Sequence, residues 1–241
     1  MNLLDREILL VDKPAGLSSF AVVARIRRVL TEQVRARAIS LGQTPPKRAK
    51  VGHAGTLDPF ATGLLICLLG SGTKKAQEFL KLDKKYEATI CLGKTSTTGD
   101  VEGEIRQVEG SASSKSPLPR ISPAQVATIV ESFKGEILQK VPIYSAVKIN
   151  GRRAYDLARK GIDVEMPTRE VQIYDIKVLS YEWPYLKISC HVSSGTYIRA
   201  LGEDIGEKLG VGGYLTELRR TQIGEYKVSE AIGLAELGII D

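Results

Sequence analysis

The stretch VGHAGTLDPFATGLLICLLG, residues 51–70, carries one acidic side chain, Asp58, and neither lysine nor arginine. Its second half, GLLICLLG, is an unbroken apolar run of strand length and reads as a buried strand. Its first half is rich in glycine and threonine, with Pro59 directly after the aspartate and His53 five positions before it. Two readings of Asp58 are open. An aspartate before proline in such a loop is an ordinary turn former. The other reading is a carboxylate held in a dry pocket as nucleophile or base. A buried aspartate that must stay ionised needs a cationic neighbour, and the candidates are Arg152, Arg153, Arg199, Arg219 and Arg220. Arg199 follows SSGTY at the start of a helix, where free backbone N–H groups favour an anion and a guanidinium can pair with a carboxylate through two parallel bonds.

Outward from this segment, EILLVDKP reads as a short strand stopped by Pro14. GLSSFAVVARIRRVLTEQVRARAIS reads as a helix capped by Ser18 or Ser19, with Val22, Val23, Ile26, Val29 and Leu30 at helical spacing. GQTPPKRAK breaks it and reads as a mobile basic loop. TKKAQEFL is a short helix, and KKYEATICLGKTSTTGDVEGEI alternates as strands around glycine turns. EGSASSKSPLPRISP, rich in serine and proline, is expected to be an exposed loop. Ser122 followed by Pro123 starts a helix over AQVATIVESFKG. IYSAVKINGRRAYDLARKG reads as strand, turn and helix ended by Gly161. REVQIYDIKVLSYEW and YLKISCHVS form a strand pair joined near Pro184. SGTYIRALGEDIGEKLG is a helix opening at Ser194-Gly195-Thr196, YLTELRRTQIGEYKV a strand, and the C-terminal end a short helix. Strands in hairpin-like pairs with helices between them indicate an α+β fold with a mixed, mainly antiparallel central sheet flanked by helices and loops.

The 241 residues are 43% hydrophobic but only 6% aromatic, so aliphatic side chains must supply most of the core. No stretch is long and apolar enough to span a bilayer, and ILLVDKPAGL is too short for a secretion signal. A cytoplasmic protein without membrane contact is the expectation. Cys67, Cys91 and Cys190 sit far apart in apolar strand-like runs and are expected to be buried reduced thiols. No CxxC pair suggests zinc, and no GxxxxGK[ST] or GxGxxG suggests a nucleotide cofactor. Net charge is +6, and between Arg25 and Lys50 eight lysines and arginines face one acid, Glu32. Such a stretch suits a phosphate backbone.

Six blocks carry a more specific signal: LLVDKPAGLSS (9–19), GHAGTLDPFATGLL (52–65), KKYEATICLGKTSTTGD (84–100), VPIYSAVKINGRRAYDLARKG (141–161), SSGTYIRALGEDIGEKLG (193–210) and LRRTQIG (218–224). Together, in this order, they resemble the TruB family of tRNA pseudouridine synthases. The resemblance implies the pseudouridine synthase fold in a single catalytic domain over 1–241, and an isomerase that needs neither metal nor organic cofactor. It implies conversion of uridine to pseudouridine at position 55, in the T-arm loop of tRNA. The N1–C1′ bond breaks, the base turns, and C5 rejoins C1′. Asp58 matches the essential aspartate, acting as nucleophile or by taking a ribose proton. Tyr86 matches the tyrosine that stacks on the target base, and Arg199 the arginine that pairs with the aspartate. Tyr197 and Leu218 match positions that contact the nucleotide, His53 the histidine that enters the RNA loop, and Lys13 a lysine near the site.

Two features depart from the family pattern. TEQVRARAISLGQTPPKRAK (31–50) lengthens the usual linker and is expected to add a helix and a basic loop beside the tRNA. No separate C-terminal RNA-binding domain is evident after LRRTQIG. The alternatives are a non-catalytic RNA-binding or RNA-folding protein on the same fold, and a synthase acting on another RNA. A monomer is expected, since no heptad or large apolar patch stands out. If the insertion grips phosphates, deleting residues 35–50 weakens tRNA binding and flattens its salt dependence. Each lost contact should remove roughly 0.7–0.9 from the slope of log K against log salt, measured by filter binding over a salt series.

Overall fold

The computed structural model describes residues 1–108, 121–149, 151–162 and 164–238. Most of the Ser/Pro-rich loop and Asn150 of the expected turn lie outside these residues. The chain divides into two compact units, Met1–Tyr86 with Arg219–Asp241, and Glu87–Leu218.

The first unit opens with strand β1 (Ile8–Lys13) and helix α1 (Ser19–Ser40). Ser18 is the N-cap, its hydroxyl accepting from the Ala21 N–H. Strands β2 (Val51–Ala54) and β3 (Thr62–Leu69) follow, then helix α2 (Ala76–Lys81) and the start of β4 (Lys84–Leu92). The apolar run 64–69 is indeed a strand with both faces covered. Leu65, Cys67 and Leu69 pack with Val22, Val23, Ile26 and Leu30 of α1. Leu64, Ile66 and Leu68 pack with Phe79 of α2 and with Ile223. A strand buried on both sides has no polar face, hence the unbroken apolar sequence. β1 and β2 flank β3 antiparallel.

α1 runs unbroken through Ser40, as the continuous helical reading of 16–40 expects, so the helix expected from the insertion is an extension of α1 and not an added element. The following segment is tied back to it. The Arg35 guanidinium donates to the Pro46 and Lys47 carbonyls, and Ala49 N–H donates to the Thr31 hydroxyl. Arg28, Arg35, Arg37, Lys47, Arg48 and Lys50 are exposed.

The second unit continues β4 and adds the hairpin β5 (Lys94–Ser96) and β6 (Ile105–Gln107), then helix α3 (Pro123–Glu131). Ser122 and Gln125 form a reciprocal capping box there. Strand β7 (Gly135–Lys140) leads to the short hairpin β8 (Lys148–Ile149) and β9 (Arg152–Arg153) and helix α4 (Ala154–Ala158). The long pair β10 (Thr168–Glu182) and β11 (Tyr185–Val192) precedes helix α5 (Ile198–Lys208) and strand β12 (Gly213–Ile223). Within this unit the sheet order is β12-β4-β11-β10-β7, with α3 and α5 packed together. Helix α5 starts at Ile198, not at Ser194-Gly195-Thr196. Gly195 takes a left-handed φ of 87°, and Thr196 bonds back to the Ser193 carbonyl, so these residues form a turn.

β12 ends in the first unit, where it pairs parallel with β3 and antiparallel with β13 (Tyr226–Lys227). The C-terminal helix is realised as two 3₁₀ turns, Val228–Glu230 and Ala235–Leu237. The fold is α+β with a mixed, mainly antiparallel sheet, and all three cysteines are buried. Burial pushes the Cys67 thiol up to about 12. The parallel contact pairs Arg220 with Gly63, whose φ is 100° and whose added Cβ would lie 2.3 Å from the Arg220 carbonyl oxygen. Gly63→Ala therefore combines backbone strain with overpacking, and a loss of about 2–5 kcal/mol is expected in a urea melt.

Candidate active site

Asp58 lies half-buried in the loop between β2 and β3, and the loop is held from three directions within the first unit. On its N-terminal side, the Ser19 hydroxyl donates to the Leu57 carbonyl (2.9 Å) and accepts from the Leu57 N–H (2.8 Å). On its C-terminal side, Lys13 is fully buried and its ammonium donates to the carbonyls of Pro59 (3.1 Å), Leu17 (2.7 Å) and Pro14 (2.8 Å). Lys13 thus acts on the loop's backbone from inside, in a position with no opening to solvent. The third tie is Arg220, 1% exposed. Its guanidinium donates to the carbonyls of Gly55 (2.9 Å), Thr56 (3.4 Å) and Leu64 (2.8 Å).

Of the five arginines considered as partners for Asp58, the structure gives several other engagements. Arg219 makes a two-pronged pair with Asp12, at 3.0 and 2.7 Å. Arg153 donates to the Tyr155 hydroxyl, and Arg152 is exposed on β9. The roles of Ser19 and Arg220 were not read from the sequence. The signal was there in LRRTQIG: on a strand, alternation sends one of two adjacent arginines inward.

His53 sits on β2 with its Nδ1 buried and without a hydrogen-bond partner. Burial, and then the nearby Arg220 charge, hold its pKa below the usual 6.5, so the ring is neutral at pH 7. Tyr86 is a buried residue of β4. Lys84, two residues earlier, donates to the carbonyls of Leu80 and Leu82 at the end of α2, and burial lowers it to about 8.

The second unit carries Tyr197, Arg199 and Leu218. Arg199 lies in the first turn of α5 and is 5% exposed. Its Nη1 donates to the Thr98 carbonyl (2.7 Å) and its Nη2 to the Tyr144 carbonyl (2.8 Å). Its Nε lies 3.5 Å from the Asp100 carboxylate. Asp100 is itself fixed by the Thr98 hydroxyl (2.6 Å) and the Glu102 N–H (3.0 Å). Tyr197, half-buried, is the N-cap of α5 and packs beside Val141, Ala154 and Met166. Leu218 is buried on β12. Among the described residues no group of three or more histidine, cysteine, aspartate or glutamate side chains is arranged to hold a metal ion. Likewise, no described helix is long and apolar enough to cross a membrane.

The first unit therefore presents the Asp58 carboxylate on a loop pinned through its backbone, and a neutral imidazole on the strand that leads into that loop. The second presents a buried guanidinium held in one orientation by two carbonyls and a carboxylate. Residues 43–198 match a family model described as "TruB family pseudouridylate synthase (N terminal domain)". Residues 199–239 match one described as "tRNA pseudouridylate synthase B C-terminal domain". A protein of Phocaeicola vulgatus named "tRNA pseudouridine synthase B" is 41% identical, over 97% of this chain and 92% of its own. One of the same name from Corynebacterium diphtheriae is 41% identical, over 98% of this chain and 73% of its own. Among solved structures, a chain of "Crystal Structure of a Cbf5-Nop10-Gar1 Complex" is 29% identical with a TM-score of 0.64, covering 95% of this chain and 52% of its own. Another, from "Structure of H/ACA RNP bound to a substrate RNA containing 2'-deoxyuridine", is 26% identical with a TM-score of 0.63, covering 98% of this chain. The chain spans about half the length of these solved chains. The fold is that of pseudouridine synthases.

The buried acidic groups of α5 give a measurable pH signature. Burial, opposed by Arg199, raises Glu203 to about 7, and burial raises Asp204 to about 6. A folded carboxyl that binds its proton more tightly than the unfolded one weakens the fold as pH rises from the unfolded pKa to the folded one. For Glu203 that window runs from 4.5 to about 7. Denaturant melts of Glu203→Gln are expected to lose less stability than wild type across that window, with the lower part of the slope retained by Asp204.

Proposed function

The chain belongs to the TruB family of pseudouridylate synthases, and on that premise we propose that it isomerises uridine 55 in the T-arm loop of tRNA to pseudouridine, with Asp58 as the essential carboxylate. The observation that carries this reading is the treatment of one loop. Leu57 and Pro59 are both anchored, by Ser19 and Lys13, and Arg220 grips Gly55 and Thr56, while the carboxylate between them is only half-buried. A turn former needs no such scaffold. A reacting group does, because misplacement by about 1 Å can cost on the order of 10²-fold in rate.

The chemistry then runs as follows. The target uridine leaves its stack, since its C1′ and C5 are inaccessible inside a folded loop. Asp58 acts on the ribose–uracil unit, as nucleophile or as base toward a ribose proton, and the N1–C1′ bond breaks. The base turns while held in place, C5 bonds to C1′, and the proton on C5 leaves while N1 takes one up, so that the product is an isomer of uridine. Because the detached base stays bound, rejoining is intramolecular. Tyr86 supplies a stacking face for the base and Arg199 a second essential group, with Tyr197 and Leu218 against the nucleotide. The neutral His53 imidazole, with its unpartnered Nδ1, is suited to contact a base in the loop. The exposed cations of 28–50 supply phosphate affinity from the cytoplasmic tRNA pool.

The test is release of tritium from an unmodified tRNA transcript labelled at uracil C5. Wild type is expected to release one equivalent, lost when uridine 55 is replaced by cytidine. Asp58→Asn should slow release by at least about 10²-fold while tRNA binding persists. Binding without release by wild type would identify a non-catalytic RNA-binding protein. Release unaffected by the change at 55 would point to another uridine of the tRNA, and release only from a labelled transcript of a different RNA to a synthase for that RNA.

A further inference from the structure

The side chain of Gln139 stands out among the buried polar groups of the second unit. It lies on β7 between Leu138 and Lys140, both exposed, and is itself 1% exposed. Its amide bonds one residue twice, 58 positions away: Nε2 donates to the Tyr197 carbonyl (3.0 Å) and Oε1 accepts from the Tyr197 N–H (2.7 Å). Two bonds to the N–H and C=O of a single residue fix both its position and the rotation of its peptide planes, which a single bond leaves free.

The place of contact matters. Tyr197 is the N-cap of α5 and has no side-chain cap of its own. The Tyr197 carbonyl also accepts from the Leu201 N–H, one of the first helical bonds of α5. The turn leading into it is closed on itself, with Gly195 at a left-handed φ of 87° and the Thr196 hydroxyl bonded to the Ser193 carbonyl, and supplies no cap to the helix. Gln139 thus holds the backbone of the residue from which α5 begins, and Arg199 follows two residues later. The circuit closes from the other end. Tyr144 comes five residues after Gln139 on the chain leaving β7, and its carbonyl accepts from Nη2 of Arg199. The backbone of α5 and the tip of its arginine are therefore both referenced to the same short stretch, 139–144.

We propose that Gln139 is a positioning residue for uridine isomerisation, its amide setting the register at which α5 presents Tyr197 and Arg199. This rests on the reading of those two residues as active-site groups given above. Gln139 touches no substrate; it acts through the start of the helix.

Two variants separate this role from mere filling of the interior. Gln139→Met keeps the volume and removes both bonds. Gln139→Glu keeps the acceptor for the Tyr197 N–H, but when ionised it sets a carboxylate against the Tyr197 carbonyl. When protonated, its O–H replaces the lost donor. On tritium-labelled tRNA, kcat of Gln139→Glu at pH 8 should fall about 10- to 100-fold, with KM within about twofold of wild type. Its kcat relative to wild type should then recover as pH is lowered toward 5.5. Gln139→Met should lose kcat without that recovery. Thermal melts establish that each variant is folded at the assay temperature; if Gln139→Met is not, the pH profile of Gln139→Glu alone decides. An active wild type with both variants within twofold in kcat overturns the inference. So does a loss confined to KM, or a loss in Gln139→Glu that does not respond to pH. A wild type inactive on tRNA refutes the functional reading, and this inference with it.

Discussion

A buried guanidinium gripping main-chain carbonyls is the constraint on which the first unit depends. Arg220 is 1% exposed, and among the described residues its donors meet carbonyl oxygens of Gly55, Thr56 and Leu64. Taking such a charge out of water costs several kcal/mol unless polar groups replace its hydration. Three carbonyl dipoles do so here, and in return the loop carrying Asp58 is bound to β12 and β3 through its backbone. The same charge acts on His53, adding to burial in keeping that ring neutral. One side chain therefore shapes the loop and reinforces what burial does to the protonation state of His53.

The second unit uses the same device with the roles reversed. There the arginine is the candidate functional group, and the main chain holds it: the carbonyls of Thr98 and Tyr144 and the carboxylate of Asp100 surround Arg199. Asp100 is in turn bonded by Thr98 and Glu102, so the acceptors are themselves fixed. A group that must act on a short-lived geometry gains from being oriented before substrate arrives. The cost is visible in Glu203, where burial beside this cluster outweighs the attraction of Arg199 and leaves the carboxyl about half protonated at pH 7.

Much of this organisation was legible along the chain. Residues 63–70 read as a buried strand because the unbroken apolar run has strand length and ends on glycines, and α1 is marked by helical spacing and a serine cap. The six family blocks made Asp58, Tyr86, Tyr197 and Arg199 the candidate site residues. The start of α5 was misplaced because Ser194-Gly195-Thr196 has the composition of a cap, whereas a glutamine 58 residues away provides the anchoring. The helical pattern through Ser40 is legible too, and the insertion's first half simply lengthens α1, since nothing in it stops a helix before Ser40.

What the sequence determined alone are the properties carried by short-range pattern: the strands and helices, the basic character of 25–50, the buried cysteines and the family to which the blocks belong. What only the tertiary structure decided is which groups hold the candidate catalytic residues in place. Arg220 grips a loop 164 and 165 positions earlier, Ser19 one 38 positions later, and Gln139 a helix 58 positions on. These bonds end on backbone atoms, and every residue but proline offers the same N–H and C=O. The partner of such a bond therefore leaves no mark on the sequence, and only the folded path of the chain selects it.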